Sequence, residues 1–192
     1  MMIFKDGASM IQESLFFTSK TGQKIEIRTP RESEAQMTLD MMIEVAAHSP
    51  YILSTPERFR QKTLENQLKW FQDSATSDSD IILAAFHDSK MVGLCNGHSY
   101  KDIKRKHRAG LGVSIHQDYR GCGLGMKLMS TLIENMKRFN HVTIIELDVM
   151  TNNSAAVKMY EKLGFKKAGT FPNAYILPSG EASDNLTMYL EA

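Results

Sequence analysis

The chain has 192 residues, 42% of them hydrophobic and 23% charged, which suits one globular domain with a substantial core. Its 23 Lys and Arg residues nearly balance its 22 Asp and Glu residues, and the formal charge of +1 argues against a protein that depends on attraction to nucleic-acid phosphates. The longest apolar run, Ile81 to Phe86, is too short to span a bilayer, and Cys95 and Cys122 lie far apart without a CxxC partner. We therefore expect a reduced, cytoplasmic protein with no metal site and no nucleic-acid or membrane partner.

The first part of the chain predicts two strands and a helix. The strands fall at 14–18 and 24–28, and the second alternates polar and apolar residues as a half-buried strand does. A helix to about Ala47 follows, because Thr29 can cap it and Glu32 can close a capping box.

Similar helix-start signals predict a second helix over 56–73, followed by a polar loop over 73–80. Residues 1–23 show no steady period. We predict that they form an N-terminal extension packed on the core, and that residues 24–192 form a single domain.

The remainder of the chain predicts alternating strands and helices. Because 109–116 and 142–150 are the two strands joined by a helical crossover, we place them parallel and adjacent. The fold class is therefore α/β, with a mixed, mostly antiparallel central sheet flanked by helices. The predicted strands are 81–87, 91–100, 109–116, 142–150, about 168–177 and 185–190, and the predicted helices are 124–139 and 153–163.

A glycine-rich loop joins the strand at 109–116 to the next helix. Gly121, Gly123 and Gly125 alternate with other residues where the helix begins. Glycine lets a backbone approach a ligand closely, and a helix N-terminus offers unpaired N–H groups and the positive end of a dipole. Arg120 can add a charge-assisted hydrogen bond. The segment predicts a diphosphate site, although a turn that only packs helix on strand would also use glycines.

Two other phosphate-binding motifs fit this loop less well. A Walker loop requires Lys followed by Ser or Thr after the last glycine, and the segment Met126-Lys127-Leu128 does not provide it. A dinucleotide fingerprint requires G-x-G-x-x-G with an acidic residue about 20 positions later. Glu146 and Asp148 lie near that distance, but the glycines here have the spacing G-x-G-x-G. Dinucleotide binding is therefore the weaker interpretation.

Two motifs resemble those of the GNAT superfamily of N-acetyltransferases. Arg120-x-x-Gly123-x-Gly125 resembles the signature R/Q-x-x-G-x-G/A, and the segment from Asn153 to Phe165 resembles N-x-x-A-x-x-x-Y-x-x-x-G-F. The two motifs occur in the family's order on the predicted elements. The resemblance implies a GNAT-like fold in which the parallel strands splay apart, with acetyl-CoA as the donor substrate and its pyrophosphate on the loop.

The resemblance also implies roles for particular residues. Backbone groups of Val113 and Ile115 would pair with the pantetheine arm, and Asn153 would bind that arm or cap its helix. Tyr160 would be the general acid that protonates the leaving thiolate, unless it is only a core aromatic residue. The implied donor site consists of Val113, Ser114, Ile115, Arg120, Gly121, Cys122, Gly123, Leu124, Gly125, Met126, Asn153, Ala156 and Tyr160.

The general base is assigned less directly. Glu146 and Asp148 alternate with apolar residues and therefore point to one face of their strand. If this face lines the acceptor pocket, Glu146 could act as the base directly or through water, with Asp148 as the weaker candidate. A solvated or helix-packed face would account for the same pattern.

These observations predict an N-acetyltransferase that transfers an acetyl group to a primary amine by direct attack in a ternary complex. The acceptor is either a small amine or the N-terminus or a lysine of a protein. The first two helices and the closing hairpin would shape its pocket, and a homodimer is one possible assembly. The alternative is a non-catalytic, regulatory acyl-CoA-binding module, against which the presence of Tyr160 argues.

Overall fold

The structure is a computed structural model that describes residues 2–3 and 11–192. The strands are β1 (Met2–Ile3), β2 (Ile11–Gln12), β3 (Leu15–Thr18), β4 (Lys24–Arg28), β5 (Asp80–His87), β6 (Lys90–Ser99), β7 (Arg108–Ile115), β8 (Ile144–Met150), β9 (Lys166–Ile176) and β10 (Ala182–Glu191). The helices are α1 (Ala35–Ala47), α2 (Pro56–Arg60), α3 (Leu64–Thr76), α4 (Leu124–Met136) and α5 (Ser154–Lys162).

Eight strands form one mixed sheet in the order β3-β4-β5-β6-β7-β8-β10-β9, while β1 and β2 pair separately. Every neighbouring pair in the large sheet is antiparallel except β7 and β8, which are parallel. This parallel pairing covers only Arg108–Gly110 against Ile144–Glu146. The two strands separate beyond it, as the resemblance implied, and the predicted fold class is confirmed.

The helices cover both faces of the sheet. On one face Leu128, Leu132 and Met136 of α4 are fully buried, and an added Cβ at Gly97 would lie 2.4 Å from the sulfur of Met136. Glycine at this position of β6 thus lets α4 pack closely on the sheet. On the other face α1 and α3 bury a second apolar cluster against β5 and β6. This double coverage explains why β5 is an almost continuous run of apolar residues.

The predicted start of the first helix at Thr29 is wrong. The α1 helix begins at Ala35, after a 3₁₀ turn over Glu32–Glu34. The Thr29 hydroxyl accepts a hydrogen bond from the N–H of Gln12 at 2.9 Å and is therefore used to hold β2.

The predicted single helix over 56–73 is also wrong, because it is two helices. The α3 helix has its own cap, with the Thr63 hydroxyl accepting from the N–H of Asn66 at 3.2 Å. This cap requires Thr63 to be extended, which interrupts the helix between Arg60 and Leu64.

Part of the predicted N-terminal extension, residue 1 and residues 4–10, lies outside the described residues. Of the remainder, β3 forms the edge of the large sheet, and the N–H of Lys20 donates to the carbonyl of Cys122 at 2.9 Å. This segment therefore lies against the glycine-rich loop, while a domain boundary at residue 23 stays a prediction. Within the described residues, no helix is long and apolar enough to cross a membrane.

Candidate active site

A cavity of about 640 Å³ occupies the gap between the separated ends of β7 and β8. The glycine-rich loop and α5 line one part of it, and the segment after α1 lines another, together with Asp148 and Tyr175. The predicted donor-site residues line this cavity, with the exceptions of Cys122 and Leu124.

The backbone of the loop presents unpaired donors to the cavity. Gly121 and Gly123 have φ angles of +74° and +95°, which residues with a side chain rarely adopt, and they turn the chain into α4. The N–H groups of residues 123–126 donate to no oxygen atom of the described residues, as expected for a first helical turn. Gly125 and Met126 of that turn line the cavity. The arrangement suits a bound diphosphate.

The non-glycine residues of the loop anchor it in the core. Cys122 is 4% exposed and Leu124 is fully buried, and the Cys122 thiol donates to the carbonyl of Tyr119 at 3.0 Å. The predicted donor-site positions Cys122 and Leu124 therefore offer backbone groups alone, because their side chains point away from the cavity. Because glycines alternate with apolar residues, the glycines line the cavity, while the side chains of Cys122 and Leu124 are buried in the core.

Positive charge is concentrated around the part of the cavity that the glycine-rich loop and α5 line. The cations in the lining are Lys20, Arg120, Lys158 and Lys162. Two of them lie on successive turns of α5, and Lys20 follows β3, beside the loop. The sequence did not predict that the three lysines belong to the site, because nothing in the motifs indicates which lysines the fold brings together.

The guanidinium of Arg120 connects the loop to α1. Its Nε donates to the carbonyl of Ile115 at 3.1 Å, and its Nη1 donates to the carbonyl of His48 at 3.3 Å. A second connection between the same elements is the pair of His116 Nε2 and Glu44 Oε2, 2.8 Å apart. Arg120 thus holds the end of α1 against β7, and it also adds charge to the cavity.

Replacing Arg120 with alanine is expected to lower the free energy of unfolding by about 1 kcal/mol, through the two lost hydrogen bonds. The affinity for CoA should fall by about tenfold, because a cation is lost from the lining. Urea denaturation and calorimetric titration measure the two effects. Arg58→Ala, on the exposed side of α2, is the control, and equal behaviour of the two variants would contradict this role.

Tyr160 is buried in the wall of the cavity. It is 7% exposed, and its ring packs edge-on against Phe165 with 5.8 Å between ring centroids. Burial raises the pKa of Tyr160 to about 12, so the phenol keeps its proton at neutral pH. Asn153 caps α5, since its Oδ1 accepts from the N–H of Ala156 at 3.3 Å, and it also lines the cavity. Asn153 and Tyr160 of the second motif therefore both line the cavity between β7 and β8.

The structure separates the two candidate bases. Glu146 is ion-paired with Arg108, accepts a hydrogen bond from the Tyr100 hydroxyl at 2.7 Å and is absent from the cavity lining. The reason is its register opposite Gly110, the last parallel pair before the strands separate. Asp148, two residues further on, lines the cavity. The geometry therefore favours the weaker sequence candidate over the predicted base, Glu146.

Asp148 is held by neutral groups. Its Oδ1 accepts from Asn185 Nδ2 at 2.8 Å and from the Thr187 hydroxyl at 2.6 Å. Among residues 2–3 and 11–192 no Lys, Arg or His forms an ion pair with it. Asp148 therefore brings an uncompensated negative charge to the cavity.

The segment after α1 and strand β9 complete the lining of the cavity. The Tyr51 hydroxyl donates to the carbonyl of Asn152 at 3.2 Å, and the Tyr175 hydroxyl donates to Asn185 Oδ1 at 3.2 Å. Leu53 lines the cavity although it is 70% exposed. The sequence predicted that the first two helices and the closing hairpin shape the acceptor pocket, but it did not indicate these residues. A leucine in the segment between two predicted helices was the available signal.

Comparison with known proteins identifies the family. The chain belongs to the GNAT acetyltransferases, since the model described as the acetyltransferase (GNAT) family matches residues 42–165. The predicted resemblance is therefore confirmed.

Individual relatives agree with this membership. The L-amino acid N-acetyltransferase AaaT of Escherichia coli (strain K12) is 32% identical over 102 residues, which cover 53% of this chain and 62% of that protein. An N-alpha-acetyltransferase of Sulfurisphaera tokodaii is 23% identical over 163 residues, covering 83% of this chain and 91% of the relative. The crystal structure of a GNAT acetyltransferase from Streptococcus pneumoniae shares the fold, with a TM-score of 0.83 and 24% identity over 88% of this chain and 99% of that one.

Proposed function

We propose that this protein is an N-acetyltransferase that transfers the acetyl group of acetyl-CoA to a primary amine by direct attack in a ternary complex. The observation that supports this most strongly is the arrangement of one cavity. Unpaired helix-start amides and cations lie in one part of it, a protonated Tyr160 lines its wall, and the Asp148 carboxylate faces it from the opposite strand. Family membership supports the same reaction.

The donor fits the loop and the free edge of β7. The diphosphate would accept hydrogen bonds from the N–H groups of residues 123–126, within reach of the surrounding cations. Beyond Gly110 the edge of β7 toward β8 pairs with no strand among the residues that the structure describes. Its peptide groups there, including those of Val113 and Ile115, can pair with the two amides of a pantetheine arm as a neighbouring strand would.

The reaction then needs three proton transfers. Asp148 would accept a proton from the ammonium of the acceptor, and the neutral amine would attack the thioester carbon. When the tetrahedral intermediate collapses, the C–S bond breaks and the thiolate takes the phenol proton of Tyr160. The nitrogen, which gained a positive charge on attack, then returns a proton to the Tyr160 phenolate directly or through water, and the neutral amide and the thiol leave. Burial disfavours a thiolate as it disfavours a phenolate, so a raised pKa of Tyr160 does not by itself prevent this transfer. Holding the two reactants together would provide much of the acceleration.

The activity is tested by measuring thiol release from acetyl-CoA with a panel of amines and peptides. The proposal predicts turnover with at least one acceptor. Binding of acetyl-CoA without turnover on any acceptor would instead support the non-catalytic acyl-CoA-binding module.

Replacing Asp148 with asparagine is expected to lower kcat/KM at pH 7 by about 100-fold, the effect of losing a general base. The deficit should shrink as the pH rises, because more of the acceptor amine is then already neutral. Glu146→Gln is the matched control and should change kcat/KM by less than about fivefold, since Glu146 acts within its pair with Arg108. The reverse ranking would restore Glu146 as the base.

A further inference from the structure

We infer that the acceptor is the α-amine of a peptide, rather than a free amino acid or a polyamine. This inference rests on the proposed acetyl transfer and concerns the half of the cavity formed by the segment after α1, Asp148 and Tyr175, here called the acceptor half. Among the described residues, its polar groups include two tyrosine oxygens that can accept hydrogen bonds and one carboxylate, Asp148, which match an ammonium followed by amide N–H groups.

The two tyrosine hydroxyls of the acceptor half already use their protons. Tyr51 donates to the carbonyl of Asn152, and Tyr175 donates to Asn185 Oδ1. The orientation of the Asn185 amide is set by its other end, which donates to Asp148. Each tyrosine oxygen therefore presents lone pairs, which can accept from a peptide N–H. Burial, together with the Asp148 carboxylate, raises the pKa of Tyr175 and keeps this hydroxyl neutral.

The charges of the acceptor half disfavour a free amino acid. Of the cations in the described lining, Lys20, Lys158 and Lys162 lie beside the loop or on α5. Arg120 reaches the start of the segment after α1, but its guanidinium already donates to the carbonyls of Ile115 and His48. Arg108 is paired with Glu146. The α-carboxylate of a free amino acid would lie near Asp148, because its ammonium must approach that group. Two like charges would then lie close together, which disfavours binding. A peptide or amide acceptor has no such carboxylate.

A polyamine would meet too little negative charge. It carries several ammonium groups, each of which is best bound by its own anion. Of the carboxylates near the cavity in the described chain, Glu146 is paired with Arg108, and Glu44 Oε2 lies 2.8 Å from His116 Nε2. Glu181 and Asp184 accept hydrogen bonds from Asn152 Nδ2 and from the N–H of Asn173, and they do not line the cavity. Asp148 remains as the uncompensated charge of the described lining.

Apolar side chains also line the cavity, together with Asp148 and the two tyrosines, and they suit the first side chain of a peptide. Val45 near the end of α1, and Ile52 and Leu53 in the segment after it, line the cavity. Leu53 is 70% exposed, and a ligand side chain packed on it would remove apolar surface from water. A peptide that begins with leucine is therefore a suitable probe.

The test compares leucine, leucinamide and a leucine-initiated tetrapeptide amide as acceptors, by thiol release from acetyl-CoA. Because the carboxylate raises the pKa of the neighbouring amine, kcat/KM is expressed per concentration of neutral amine. We expect leucinamide to exceed leucine by at least about tenfold, and the tetrapeptide to exceed leucinamide. Equal or faster turnover of leucine, of spermidine or of an N-acetylated lysine peptide would overturn the inference. No turnover with any acceptor, while CoA still binds, would instead overturn the proposed acetyl transfer and with it this inference.

Two variants test whether the selectivity comes from the named groups. Asp148→Asn should reduce the ratio of leucinamide to leucine turnover by at least about fivefold, and this ratio is independent of a general loss of rate. Tyr175→Phe should reduce the preference for the tetrapeptide over leucinamide. The control Glu134→Gln, on the exposed face of α4, should leave both ratios unchanged. An unchanged leucinamide-to-leucine ratio in Asp148→Asn would contradict the electrostatic argument.

Discussion

Replacing Gly125 with aspartate is expected to weaken the binding of CoA by about 100-fold or more, which corresponds to about 2.7 kcal/mol. Gly125 lies in the first turn of α4, where a backbone N–H has no partner within the helix, and it lines the cavity. A carboxylate there would repel a diphosphate and compete with it for the unpaired N–H groups. An acidic residue in the first turn favours the helix by about 0.3–1 kcal/mol, so the variant should remain folded.

The asparagine variant at the same position separates charge from size. An added Cβ at Gly125 would lie 3.2 Å from the flexible sulfur of Met159, so either side chain costs some packing. Gly125→Asn should therefore weaken CoA binding by about tenfold at most, clearly less than Gly125→Asp. Calorimetric titration with CoA measures both affinities, and thermal unfolding checks the fold. Equal affinities of the two variants would show that the loop does not bind an anion.

Replacing Tyr160 with phenylalanine is expected to lower kcat by about 100-fold, within the range typical of general acid catalysis. The hydroxyl is the proposed proton donor to the departing thiolate, whereas the ring packs on Phe165 and should stay in place. The dissociation constant of acetyl-CoA should therefore remain within about twofold of the original value. Tyr189→Phe on β10, outside the cavity lining, is the matched control.

The pH profile provides an independent test of the same role. Because burial raises the pKa of Tyr160 to about 12, the protonated phenol is fully present below that pH and is lost only as the pH rises through it. The value of kcat should consequently rise or stay level between pH 6 and 10, with no alkaline decline in that range. A fall in kcat near pH 8, or full activity of Tyr160→Phe, would remove Tyr160 from the mechanism.

The donor side of the site could be predicted from the sequence because its signals are local. The spacing of Gly121, Gly123 and Gly125 and the segment from Asn153 to Tyr160 each lie within one short stretch of chain. The crossover between β7 and β8 followed from the order of elements alone. The splayed pair confirmed in the structure came from the family resemblance.

The remaining features depend on contacts between distant parts of the chain. Thr29 fails as a helix cap because it binds Gln12 in β2, and Glu146 is paired with Arg108, 38 positions earlier, at the last parallel pair before the strands separate. Tyr51 and Tyr175 face one cavity although more than a hundred residues separate them. No periodicity or short motif encodes such pairs, so the sequence identified the reaction class but not the acceptor side.

The central claim is that the backbone amides at the start of α4 bind the diphosphate of CoA. Calorimetric titration of the unmodified protein and of Gly125→Asp with CoA and with pantetheine, which lacks the diphosphate and the 3′-phosphoadenosine, tests it most directly. We expect the unmodified protein to bind CoA at one site and at least about 100-fold more tightly than pantetheine, and we expect Gly125→Asp to lose most of this difference with little change in its affinity for pantetheine. Equal affinities of the unmodified protein for the two compounds, or the same preference for CoA in Gly125→Asp, would contradict the claim.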